Sequence, residues 1–172
     1  MTKFQRIWLG CMTLAVLANG TPLFGGTRQL TVTAREADHI FVNPINVDGQ
    51  SLLLTDDFAD GVGTHVRRYL LIAREVVNPS TGEVSQGAFI MLSADGSTIS
   101  GRYSGQATFG STSLRWVANG EIIGGTGRFK GATGTINFEG SSDLSTCKSV
   151  DALSTCEFTE DTRATISLPD RH

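Results

Sequence analysis

The 172-residue sequence predicts an all-β protein, a closed antiparallel β-barrel of about eight strands. Three observations carry that prediction. From residue 97 onward apolar and polar residues alternate with a period of two over several successive runs. Turn chemistry falls between the runs, at Asp48-Gly49, Asp60-Gly61, Asn78-Pro79-Ser80-Thr81-Gly82 and Asp95-Gly96. No stretch after residue 20 carries the pattern of an amphipathic helix. A closed barrel leaves no strand edge unpaired, which favours it over the alternative, an open sandwich.

Residues 1–20 read as a secretory signal peptide. Lys3 and Arg6 form a basic start, and Ile7 to Ala18 is apolar apart from Thr13, a run well short of the roughly 20 residues a bilayer span needs. Cleavage near Ala18 to Gly20 leaves 21–172 as a single domain, secreted or periplasmic, of about 150 residues, a size that supports one core. No membrane span is expected once the signal is removed. Cys11 leaves with it, and too few apolar residues precede Leu9-Gly10-Cys11 for a lipoprotein signal. Cys147 and Cys156 remain, an even pair in an oxidising compartment, and are expected to form a disulfide worth about 2–3 kcal/mol. No metal is expected, because His39, His65 and His172 are scattered and lie far from the cysteines. The formal charge of −3 becomes more negative when Lys3 and Arg6 are lost, and the only adjacent basic pair is Arg67-Arg68, which excludes nucleic acid as a partner.

The first half is strand-like but irregular, with runs at Gln29 to Arg35, Ile40 to Asn43, Leu52 to Phe58, His65 to Val77 and Gly87 to Ser93. The run 65–77 is apolar on both faces, so periodicity leaves its inward face open and suggests that its outer face is covered in a homo-oligomer, a dimer or trimer. The second half is cleaner. Ile99, Gly101, Tyr103, Gly105, Ala107 and Phe109 share one face, then Leu114, Trp116, Ala118, Gly120 and Ile122, then Ala132, Gly134, Ile136 and Phe138, and finally Phe158, Ala164, Ile166 and Leu168. Between the second and third of these runs stand Gly124, Gly125, Gly127, Gly131 and Gly134, a concentration that marks a tight structural turn.

Recognised catalytic motifs are absent from the sequence. Gly125-Thr126-Gly127 leads into a strand pattern where a dinucleotide fingerprint needs a helix, and Gly101 to Gly105 lacks the spacing of a nucleophile elbow. Asp56-Asp57 with Asp60-Gly61 reads as a turn, too short for a calcium loop. No cofactor is implied.

The segment from Gly120 to Gly134, GEIIGGTGRFKGATG, resembles the glycine hallmark of plant allene oxide cyclases, dirigent proteins and their secreted bacterial relatives. Upstream, Leu54 to Phe58, Gly61-Val62-Gly63, Asp95-Gly96 and Gly101 resemble successive turns of the allene oxide cyclase barrel, so the resemblance covers roughly Leu30 to Gly140. It implies the barrel and a small-molecule cavity. It does not imply allene oxide cyclase activity, because the family's pocket glutamate, asparagine and cysteine fall here on Ala34, Glu36 and Tyr69.

Within that frame the candidate catalytic residues are Glu36 and Glu160, each in phase with inward apolar residues of its strand. A buried carboxylate is either held protonated as an acid, base or polar anchor, or it sits wetted at a barrel mouth or paired with an arginine such as Arg68 or Arg74. Candidate ligand-binding residues are Tyr69, Tyr103, Trp116, Phe138 and Phe158, with core packing as the alternative role. The expected function is an exported barrel that binds a small apolar ligand and guides its conformation. The alternatives are a cyclase or isomerase acting through an interior carboxylate and a structural or surface-interaction protein with a filled barrel.

Overall fold

The computed structural model describes residues 26–150 and 153–170; the signal-peptide segment lies outside them. Nine strands follow one another, β1 Thr27–Val47, β2 Gln50–Gly63, β3 Arg67–Val77, β4 Glu83–Ser93, β5 Thr98–Phe109, β6 Ser113–Gly125, β7 Thr133–Asp143, β8 Lys148–Val150 and β9 Leu153–Pro169. Each pairs antiparallel with the next from β1 to β7, β9 pairs with β7, and β1 pairs with β9, which closes an eight-stranded barrel with the short β8 hairpinned outside it. The closing seam is long, running from Thr27↔Pro169 to Val42↔Ser154. No helix among the described residues is long and apolar enough to cross a membrane.

The inward phases expected for β5, β6, β7 and β9 are the ones observed, with Ile99, Tyr103, Trp116, Ala118, Ile136, Phe138, Phe158 and Ile166 all buried. The first half differs from expectation. β1 is one strand of 21 residues where the sequence suggests two, because the acids Glu36 and Asp38 hold inward positions and break the apolar stripe without breaking the strand. β2 runs through Asp56-Asp57 and Asp60-Gly61, so neither is a turn, and the segments Leu54 to Phe58 and Gly61 to Gly63 lie within a strand. The reversal comes between Gly63 and Arg67, where His65 and Arg67 adopt φ of 60° and 59°. In β3 the inward face is Tyr69, Leu71, Ala73, Glu75 and Val77. Its outer face joins neighbouring strands in an exposed apolar strip, with Phe58, Ile72 and Ile90 in one cross-strand row and Leu70 and Leu92 in the next.

The two ends of the barrel are finished differently. At one, the glycine-rich turn enters a 3-10 turn, Gly127–Phe129, that drives Phe129 into the core as a plug. Gly127 and Gly131 take φ of 56° and 77°, and a Cβ on Gly134 would lie 1.9 Å from the Thr165 carbonyl oxygen, so the motif needs glycine for chain path and close strand approach. At the other end Cys147 and Cys156 are disulfide-bonded, with Cα atoms 4.2 Å apart, tying the segment before β8 to β9. Between the ends Phe138 sits among Phe89, Tyr103 and Trp116, with ring centroids 5.5, 5.3 and 6.0 Å from its own.

Candidate functional site

The barrel interior carries an unusual charge distribution. Glu36, Asp38, Asp57, Glu75 and Glu160 are buried, yet no lysine, arginine or histidine is buried among the described residues. Arg68 and Arg74 face outward and pair with Asp60 at 3.8 Å and Asp56 at 2.5 Å, so the alternative that either neutralises Glu36 or Glu160 does not hold. Acids without a cation must keep protons or hydrogen-bond donors, and this interior supplies both.

Glu36 and Glu160 are direct cross-strand partners on β1 and β9. Tyr69 reaches Glu36 from β3 by laying its ring over Gly61, where a Cβ would lie 2.3 Å from the ring, and its hydroxyl donates to Glu36 Oε1. Thr162 Oγ1 lies 2.9 Å from both Glu36 oxygens. Burial pushes both carboxyls up, and at Glu160 the charge of the facing Glu36 adds to the rise. Glu36 accepts hydrogen bonds from Tyr69 and Thr162.

A second pair repeats the plan nearer the disulfide end. Tyr103 crosses Gly87, where a Cβ would lie 2.6 Å from its ring, and donates to Glu75 Oε2 at 2.5 Å. Thr55 donates to Glu75 Oε1. Burial, followed by the charge of Glu75, pushes the Asp57 carboxyl well above its ordinary value. Here one atom is left over: Asp57 Oδ1 is buried without a hydrogen-bond partner. Asp38 Oδ1 is also unpartnered, and burial with the nearby Glu36 raises Asp38 to about 7.

Only the second pair borders a cavity with apolar walls. It opens at the disulfide end, measures about 110 Å³, has an almost wholly apolar surface, and is lined by Leu53, Val77, Leu114, Trp116, Phe158 and Cys156, with Thr55, Asp57 and Glu75 at its inner end. Of the residues singled out in the sequence, Trp116 and Phe158 line this cavity. Tyr103 stands behind it through Glu75, Phe138 belongs to the aromatic cluster, and Tyr69, Glu36 and Glu160 form the other pair. Glu160 instead borders a broad outer depression beside Arg35, Glu139 and Asp161. Sequence reading missed Asp57 and Glu75. Glu75 is the one acid in the stripe Tyr69, Leu71, Ala73, Val77, a signal hidden by the equally apolar opposite face; Asp57 is masked by the turn-like composition around it.

No group of three or more histidine, cysteine, aspartate or glutamate side chains among the described residues is arranged to hold a metal ion. Among solved structures the chain is similar to a pterocarpan synthase dirigent protein, at 14% identity over 84% of this chain and 88% of that one, with a TM-score of 0.49. No family model matches the chain, and no curated protein matches its sequence.

Proposed function

We propose that this protein is an exported barrel that binds a small, largely apolar molecule in the cavity at its disulfide end and holds it in one conformation. The carrying observation is the almost wholly apolar surface of that cavity, built by Leu53, Val77, Leu114, Trp116 and Phe158, with the buried acids Asp57 and Glu75 at its inner end. A pocket of this kind holds a ligand by shape while its walls exclude water. At about 110 Å³ it is smaller than the roughly 300–1,000 Å³ of pockets that enclose drug-sized ligands, so the occupant, or the part of it inside, is about one ring in size. Filling by the protein's own side chains accounts for the barrel's middle, where Phe89, Tyr103, Trp116 and Phe138 pack together. The signal-like residues 1–20 and the disulfide support export, and the outer strip around Phe58, Ile72 and Ile90 supports self-association, tested by the sedimentation of Ile90→Lys.

Native mass spectrometry of protein purified from its own host tests the reading. A retained small molecule, lost in the cavity-filling variant Ala107→Phe, is the expected result; identical ligand-free masses for both would reject it. A catalytic version would draw on Asp57, which lies on the cavity wall and whose carboxyl burial and the charge of Glu75 push up, the direction that suits a general acid for an isomerisation or cyclisation. The pair Glu36 and Glu160 is the other source of a proton. Loss of turnover in Asp57→Asn with turnover kept in Glu160→Gln assigns the role to the cavity pair, and the reverse pattern assigns it to Glu160.

A further inference from the structure

The barrel wall has a break in its ladder near the disulfide. β7 and β9 pair from Thr133↔Ser167 to Ser141↔Thr159, and beyond that point β7 runs on to Asp143 against β6 while β9 turns the same edge to β8, at Lys148↔Thr155. A side chain spans the opening, where Ser142 Oγ donates to the Glu157 carbonyl at 2.6 Å. Outside lies a recess of about 560 Å³, with Asp38, His39, Ser142, Asp143, Glu157 and Phe158 in its lining.

Phe158 belongs to this recess and to the apolar cavity alike. It faces inward, and its backbone is paired with Asp38 of β1, so a turn of its ring breaks no ladder hydrogen bond. The 3-10 turn Leu144–Thr146 spans the same two spaces, with Leu144 on the cavity and Thr146 on the recess, and the disulfide of Cys147 anchors it. The recess is chemically unlike the cavity. Asp143 and Glu157 are exposed there with no ion pair among the described residues, and the one base in the lining is His39, so the recess suits a polar group that carries no negative charge. We propose that the break beside Phe158 is a lateral portal and the recess a second subsite, so that the ligand is an amphipathic molecule with its apolar ring in the cavity and an uncharged, hydroxyl-bearing end in the recess. This assignment rests on the cavity being a ligand site, and it extends that site beyond one ring.

The test is calorimetric titration of the disulfide-bonded protein with toluene, 3-phenylpropan-1-ol and 3-phenylpropanoate near neutral pH. The alcohol is expected to bind roughly tenfold more tightly than toluene, from the methylenes it buries beyond the ring, and roughly tenfold more tightly than the carboxylate, which the acidic recess repels. Thr159→Trp fills the recess from the exposed face of β9, away from the cavity, and is expected to shrink the margin over toluene to within about twofold while toluene binds as before. Phe158→Ala should speed association of the alcohol at least about fivefold, read by the fluorescence of Trp116 in the cavity wall. Toluene binding as tightly as the alcohol, or a margin that survives Thr159→Trp, would overturn the portal and leave the apolar-cavity reading standing. If none of the three binds, both fall. Should Phe158→Ala fail to fold by circular dichroism, the wild-type and Thr159→Trp affinities decide the matter.

Discussion

The two acid pairs inside the barrel share one construction and end in different states. In each, a tyrosine crosses a glycine to reach a glutamate, a threonine donates to the same glutamate, and a second buried acid with a raised carboxyl lies beside it. Around Glu36 and Glu160 the donors converge on the Glu36 carboxylate from β3 and β9. Asp57 and Glu75 stand at the inner end of an apolar cavity. Burial and raised carboxyls are therefore common to both pairs, and it is the adjoining apolar space that separates a structural pair from a candidate site.

The largest expected effect breaks the inner pair alone. Gly61→Val places a branched side chain where the Tyr69 ring lies, 2.3 Å from a Cβ, and should cost about 3 kcal/mol or more, read as a shift in the denaturant midpoint. A similar cost for a control such as Gly124→Val, where the only atom within 4 Å of a Cβ is the Ser100 hydroxyl at 3.7 Å, would show that the ring contact is not the cause.

Next comes the pH dependence that both pairs share. Glu36, Glu160, Asp57, Glu75 and Asp38 all have raised folded-state values, so the folded protein holds protons that the unfolded chain releases. Their stabilisation is complete below the ordinary carboxylate range, about pH 4, and is lost as pH rises; for Asp38 the loss is complete once pH passes about 7. The melting temperature should accordingly fall from pH 5 to pH 8, and Asp38→Asn should flatten that slope. A melting temperature that climbs over the same interval would contradict the protonated interior.

Reducing the disulfide, or replacing it in Cys147→Ser with Cys156→Ser, should cost about 2–3 kcal/mol. The loosening should appear first at the cavity end, in hydrogen exchange of residues 144–148, while protection around Phe129 holds. The smallest effect sharpens the comparison most. Tyr69→Phe and Tyr103→Phe each remove a donor from a buried glutamate and should each cost about 1–3 kcal/mol, but only Tyr103→Phe should alter ligand affinity. Equal changes in affinity would erase the distinction between the pairs.

The alternation in β5, β6, β7 and β9 was legible because small and aromatic residues fill the inner positions and polar residues the outer ones, as in Ile99 to Ala107. Glu36 and Glu160 were legible for the same reason, as single acids in apolar stripes. β2 and β3 were not. Ile72, Leu70 and Phe58 make the outer wall as apolar as the inner, so no period could tell that Glu75 points in, and the aspartates of β2 imitate a turn.

By itself the sequence determined the all-β class, the inward phases of β5, β6, β7 and β9, the glycine-built reversal and the cysteine pair, because these follow from local preference and a period of two. The tertiary structure alone decided that Glu36 meets Glu160, that Tyr69 and Tyr103 span glycines to reach acids on other strands, and that Asp57 ends at a cavity. Those facts depend on the register and curvature that bring together residues such as Glu36 and Thr162, 126 positions apart. Distances across a closed sheet are fixed only when its last strand meets its first.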